Sequence, residues 1–249
     1  MPEAPAYVIL GRGRWAARVQ QILAVEGRRT VPLAETRQGQ TEDSSAYTAR
    51  LAEAMHKSCA QIAWLCVLPG PHIVLMIEAA VHAGLHVIAE KPWLCSAEIT
   101  DSLKTKARAM GKLVGIHYEY CLLDAVGKWR ANYDSGAGLR FAGRFFLSRK
   151  DHTGMHPMDN LGSHLLAIRA YATPRAAVQA IVCGYERPDE RCVWLEKGSQ
   201  HAAFLNLLEN REPIIQRYIQ SFEAAAAGAG FPFGLDFAMR VSEDVAALK

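Results

Sequence analysis

Short apolar runs recur through the first half of the chain, and each gives way to a stretch with helical spacing. Ala6-Tyr7-Val8-Ile9-Leu10 opens the series, and Ala17, Val19, Ile22, Leu23 and Val25 follow on one helical stripe that Gly27 ends. Thr30-Val31-Pro32-Leu33-Ala34 is the second strand. Its proline has no N–H for a sheet, so an edge position or a bulge is expected. Tyr47 to His56 has helical spacing, and Ile62 to Val67 reads as a buried strand. After a turn, Val74, Ile77, Ala80 and Val81 line a helix ended by Gly84. His86-Val87-Ile88-Ala89 is the next strand, Ser96 caps a helix carrying Ile99, Leu103 and Ala107, and Leu113 to His117 closes the series. This alternation predicts a doubly wound, mostly parallel sheet with helices on both faces, over residues 1–118.

Beyond His117 the pattern changes. Leu122 to Tyr133 and Asp159 to Tyr171 are helical, whereas Leu139 to Leu147, Val178 to Cys183 and Cys192 to Glu196 read as strands. His201 to Leu208 fits either state, and two helices, Pro213 to Ala227 and Leu235 to Leu248, finish the chain. Strands in succession beside a few helices predict a smaller α+β domain with a mostly antiparallel sheet over residues 119–249.

Composition narrows the function classes. With 249 residues, 50% apolar and a formal net charge of +3, the chain holds enough core for one large domain or two ordinary ones. It carries no basic stripe, so no nucleic-acid partner is expected. No apolar run approaches the roughly 18 residues that suggest a membrane span, so no membrane partner is expected either. The opening Met-Pro-Glu-Ala-Pro-Ala lacks the basic and apolar regions of a signal peptide. None of Cys59, Cys66, Cys95, Cys121, Cys183 and Cys192 forms a Cys-x-x-Cys pair. They read as reduced residues of a cytoplasmic protein, with no metal site among them.

Candidate chemistry gathers at strand ends. Gly11-Arg12-Gly13-Arg14-Trp15-Ala16 stands between the first strand and its helix, the context a dinucleotide fingerprint needs. Gly11 permits the tight turn, Gly13 lets the backbone approach a pyrophosphate, and Ala16 still allows close helix–strand packing. The helix N-terminus offers N–H groups and a positive dipole end. Glu35-Thr36-Arg37 follows the second strand. An acid there would bind ribose hydroxyls and favour NAD. A hydroxyl residue followed by Arg would favour the 2′-phosphate of NADP. Both are present. With Arg12 and Arg14 adding positive charge, the balance tips to NADP, and NAD through Glu35 stays open.

Glu90-Lys91-Pro92 follows the fourth strand, where doubly wound sheets carry their chemistry. Read alone it is an ion pair with a proline stop. His117 and Tyr120 follow the fifth strand and read as substrate-pocket residues or as packing between domains. Asp151, His152, His156 and Asp159 are spaced irregularly for a metal and read as pocket lining or an ordinary loop.

Taken together, Gly11-x-Gly13-x-x-Ala16, the turn Leu68-Pro69-Gly70-Pro71-His72, and Ala83-Gly84-Leu85-His86-Val87-Ile88-Ala89-Glu90-Lys91-Pro92 resemble the Gfo/Idh/MocA oxidoreductases, the group of glucose–fructose oxidoreductase and inositol dehydrogenase. Asn160-x-Gly162-x-His164 looks like that family's D-x-G-x-H helix motif. The resemblance spans most of residues 6 to 170 and is faint beyond Tyr171. It implies a Rossmann domain followed by a substrate domain, here shortened. It implies hydride transfer between NADP or NAD and a carbonyl–alcohol pair, or an imine, of a small cyclic substrate such as a sugar or cyclitol. It also implies cofactor contacts from the glycine turn, Leu68, Pro69, His72, Glu90, Lys91 and Pro92, and a Lys91–Pro92 cis bond. Lys91 and His164 would be the catalytic pair, with His117, Tyr120 and Asn160 toward the substrate. A homodimer through the second domain's sheet follows by the same analogy.

Two departures from the family stand out. Asn160 and Ala167 stand where the family often has aspartates, and the second domain is short for the family. Asp159 is one place early and points elsewhere on a helix. These changes leave room for an alternative, a non-catalytic NAD(P)-binding sensor or accessory protein.

Overall fold

The computed structural model describes residues 4–33, 36–133, 137–151, 153–209 and 213–249. Contacts divide the chain into two units, residues 1–117 with 219–236, and residues 118–218 with 237–249. A linear boundary at 118/119 does not include this return of residues 219–236 to the first unit.

In the first unit, β1 (Tyr7–Leu10), β2 (Thr30–Leu33), β3 (Ile62–Leu65), β4 (His86–Glu90) and β5 (Val114–His117) form a parallel sheet in the order β2-β1-β3-β4-β5. β1 and β3 are buried at every position, as expected of parallel strands covered on both faces. β2 is an edge strand, which accommodates Pro32. The helices between strands are α1 (Arg14–Val25), α2 (Ser44–Lys57), α3 (His72–His82) and α4 (Ala97–Ala109). Asp43 and Ser96 cap α2 and α4 through their side chains, accepting from the Ala46 and Ile99 N–H groups. From β1 the chain runs outward to β2, and from β3 it runs the other way, so the sheet reverses between these two strands. That switch point is where doubly wound sheets open a crevice.

The returning segment seals the far edge. The Ile116 N–H donates to the Phe233 carbonyl at 2.9 Å, and Gly115 bridges Gly234. A Cβ on Gly115 would strike the Phe222 and Phe231 rings, so only glycine fits there. Glu223 accepts from the Tyr7 hydroxyl at 2.8 Å and from Arg28 at 2.8 and 3.0 Å.

The second unit is built on a four-stranded sheet, order β7-β6-β8-β9, of β6 (Leu139–Leu147), β7 (Ala177–Tyr185), β8 (Glu190–Lys197) and β9 (Gln200–Asn206). β6 and β7 are parallel, and the other two pairings are antiparallel. The segment with two readings is thus strand β9. α5 (Asp124–Tyr133) and α6 (Ser163–Ala172) cover one face, burying Phe141, Phe145, Leu165, Ile168, Val193 and Leu195. α6 does not begin as a regular α-helix, because Met158–Gly162 forms a π-helical turn that shifts the helical phase just before His164. α7 (Ile214–Ala226) runs from the second unit into the first, and α8 (Leu235–Ala246) runs back. Arg169 pairs with Asp244 at 2.8 Å, tying α6 to α8. No helix among the described residues is long and apolar enough to cross a membrane.

Candidate functional site

The turn after β1 has no room for a side chain at its first glycine. Gly11 has φ +133°, and a Cβ there would collide with the Cys66 carbonyl just past β3. Gly13 caps α1 with extended backbone and no side-chain hydrogen bond, and nothing lies within 4 Å of where its Cβ would be. The first turn of α1 holds no acid. The α1 N-terminus thus begins at an open glycine with no acid to oppose an anion, an arrangement that suits a phosphate. Ala16 is buried beneath the turn, while Arg12 and Arg14 are exposed.

A cleft of about 1150 Å³ opens here, at the carboxyl ends of β1 and β3. Of the residues expected to hold a cofactor, it gathers Gly11, Arg12, Gly13, Thr36, Arg37, Leu68 and His72. Pro69 lies in the turn beside it, and Glu35 lies outside the described residues, as does His152. The rim after β2 is a set of residues that sequence reasoning missed. The Tyr47 hydroxyl donates to the Thr36 carbonyl at 2.7 Å. Arg50 grips Glu42 with two bonds of 2.8 and 2.9 Å and reaches the Arg37 carbonyl at 3.0 Å. Arg50 and the Gly39 N–H hold the Glu42 carboxyl down at about 2. The signal for this rim was slight, since Tyr47 and Arg50 differ from ordinary helix residues only by facing the loop before them. Arg37, by contrast, has no carboxylate within ion-pair distance among the described residues.

Glu90 ends β4, at the centre of a buried node. Its Oε1 accepts the Trp15 indole N–H at 2.6 Å and the Trp64 indole N–H at 2.9 Å. His117 Nδ1 stands 3.4 Å from the carboxylate, and its ring stacks on Trp15 at 5.6 Å and meets the edge of Trp64 at 5.2 Å. Burial opposes the charge on Glu90, yet the His117 partner and the two indole donors outweigh it and hold the carboxyl below its ordinary value. An indole N–H only donates, so an oxygen gathering two of them is suited to a carboxylate. Trp15 comes from the first turn of α1, so this node ties the glycine turn to the strand that carries Lys91. Lys91 is partly buried, and the Lys91–Pro92 bond is cis, as the family resemblance implies.

The second unit holds the other expected residues. His164 is buried on α6, with the Tyr120 ring edge-on at 5.0 Å and Phe145 at 5.4 Å. Asn160 donates to the Tyr185 hydroxyl at 2.5 Å. Asp159 points away from this pair and holds Lys249 at 2.7 Å, and Ala167 is buried. Arg191 was not anticipated. Its Nη1 donates to the Tyr120 hydroxyl at 3.0 Å, and its guanidinium lies 5.0 Å over Phe145.

No protein-family model matches the sequence, and no curated protein matches it. Solved structures do. The WlbA (WbpB) dehydrogenase from Thermus thermophilus, in complex with NAD and α-ketoglutarate, aligns with a TM-score of 0.77 at 13% identity, over 98% of this chain and 94% of its own. UDP-N-acetylglucosamine 3-dehydrogenase GnnA from Acidithiobacillus ferrooxidans aligns at 0.76 and 14%, over 98% and 96%. The myo-inositol 2-dehydrogenase from Lactobacillus plantarum aligns at 0.75 and 12%, over 99% and 96%. The last is of the kind that the motif resemblance names. At these identities the likeness concerns architecture, and over almost its whole length this chain has the fold of these dehydrogenases.

Proposed function

We propose that this chain is a nicotinamide-dependent oxidoreductase that moves hydride to or from a carbonyl, alcohol or imine carbon of a small cyclic substrate, such as a sugar or cyclitol derivative. The observation that carries the reading is the glycine turn. A side chain at Gly11 has no space, Gly13 and the uncapped start of α1 are open, and both border a cleft at the sheet's switch point. The dehydrogenases that share the fold, two of which act by name on a sugar nucleotide or a cyclitol, support the same reading.

Gly11, Gly13 and the α1 N-terminus would hold the pyrophosphate. A nicotinamide, when bound, supplies the hydride chemistry. The protein's share is polarisation and proton exchange. The Lys91 ammonium stabilises negative charge growing on the substrate oxygen. The His164 imidazole gives up or takes the proton, since its two ring nitrogens can donate and accept. Asn160 cannot serve as a base, and Asp159 is engaged by Lys249, so His164 carries that task.

NADP is the proposed preference. Arg37 lines the cleft with no acidic partner among the described residues, whereas Arg50 is neutralised by Glu42. A homodimer through the second unit's sheet is also proposed. Val182 and Phe204, 45% and 60% exposed, stand on the face opposite the helices. Light scattering of the purified protein tests it.

Titration with NADPH and NADH, followed by nicotinamide fluorescence, tests the main reading. Tighter binding of NADPH supports Thr36 and Arg37 as the 2′-phosphate site, and the reverse shifts the weight to Glu35. Binding of neither rejects the oxidoreductase. Ala167 favours the second reading, a cofactor-binding sensor, and that reading predicts cofactor binding with no turnover on any sugar or cyclitol.

A further inference from the structure

Arg191 opens a question the proposed chemistry leaves unanswered. It pairs with Phe145 across β6 and β8, on the strand face that also carries Val193 and Leu195, which are fully buried. A cation on that face is rare unless it is paired. Arg191 has no carboxylate within ion-pair distance among the described residues. The Ser148 hydrogen bond lowers the Asp189 carboxyl and the Arg191 charge lies near enough to help, yet Asp189 makes no ion pair with Arg191, and the neighbouring acids have closer partners. Glu190 turns to Arg144 at 3.3 Å, and Asp189 accepts the Ser148 N–H at 2.6 Å. The guanidinium offers five N–H donors, of which Tyr120 takes one and the buried Nε makes no hydrogen bond. Tyr120 and Phe145, the two groups that hold Arg191, are also the two rings against His164.

We infer that Arg191 is a substrate-recognition residue and that the substrate carries a carboxylate, as a uronic acid does. The inference rests on His164 being the proton-exchanging group. A planar guanidinium binds a carboxylate through two parallel hydrogen bonds, and one unpaired cation balances one such charge. Tyr120 fixes the fork from one side and Phe145 supports its face, so little side-chain freedom remains to be lost on binding.

The Arg191 Nε–H resonance tests this directly. It is assigned in ¹H–¹⁵N spectra by its disappearance in Arg191→Lys, and the wild-type protein is titrated with D-glucuronate, D-glucose 6-phosphate and D-glucose at matched ionic strength. The expected result is a saturable shift with glucuronate, none with glucose, and, by isothermal titration calorimetry of both proteins, a dissociation constant for glucuronate weaker by about tenfold or more in Arg191→Met. A larger response to the phosphate would overturn the carboxylate and leave an anion site of another kind. No shift with any of the three, or an equal shift with sodium chloride, would overturn the inference. NADPH is titrated into the same wild-type samples. If it binds while glucuronate does not, only the Arg191 assignment fails, whereas absence of NADPH binding removes the oxidoreductase reading itself.

Discussion

Glu90 in the first unit and Arg191 in the second are both charged groups in largely buried surroundings, and their neighbours treat them oppositely. Glu90 is surrounded by donors, with two indole N–H groups and an imidazole converging on one carboxylate. Arg191 is held by a phenol and a ring face, neither of which carries a negative charge. A buried charge that is fully answered is a structural joint. A half-buried charge with no ion-pair partner costs stability when its surroundings are apolar, which makes it a candidate for a ligand's charge.

The largest expected effects lie on the answered side. Lys91→Met removes the cation from the strand end that the Glu90 node anchors, and turnover should fall by about 10²–10³, the scale of losing one group that stabilises an oxyanion. Steady-state rates on a substrate found by screening check this, and an unchanged rate would remove Lys91 from the catalytic machinery. Glu90→Ala strands two indole donors and His117 in a buried pocket. Unfolding in urea should show a loss of about 3 kcal/mol, the lower end for breaking a buried ion pair. Glu90→Gln keeps an acceptor for the indoles and loses the charge, so its cost should be about 1–2 kcal/mol.

Acid should erase that last difference. The Glu90 carboxyl sits below its ordinary value of 4.5, so the stability it contributes is fully present above that value. It is lost as pH falls through the lower value of the folded state. Wild type and Glu90→Gln should therefore differ by a constant amount near neutral pH and draw together as pH falls below 4.5, as urea midpoints across a pH series will show. A difference that grows in acid would mean that His117, and not the carboxylate, governs the node.

Much of the first unit was legible because its causes are local. Apolar runs, Pro32 at an edge, Ser96 as a cap and Gly11 in its positive-φ turn each follow from residues close in sequence or from the geometry of one turn. The node was half legible. Glu90 and Lys91 were visible at the end of a strand, but Trp15 and Trp64 reach Glu90 across 75 and 26 residues, and no short-range pattern encodes that meeting. The return of residues 219–236 was hidden for the same reason, since Gly115 is demanded by rings more than a hundred residues away. In the second unit the π-helical turn escaped because hydrophobic spacing assumes an unbroken period, and Arg191 escaped because one charge in an alternating strand normally marks the solvent face.

The smallest predicted effect separates the two charges most sharply. Arg191→Met removes one hydrogen bond to Tyr120 and a cation–π contact worth about 0.5–1 kcal/mol. It also relieves the cost of a guanidinium whose Nε is buried without an acceptor, and it fills nearly the same volume with a flexible apolar chain. These terms nearly cancel, so stability should stay within about 1 kcal/mol of wild type or rise slightly. The same denaturation series that shows Glu90→Ala losing about 3 kcal/mol checks it. If Arg191→Met is equally costly, the guanidinium is a joint like Glu90, held for the fold. If stability holds while glucuronate binding disappears, the charge is kept for the ligand.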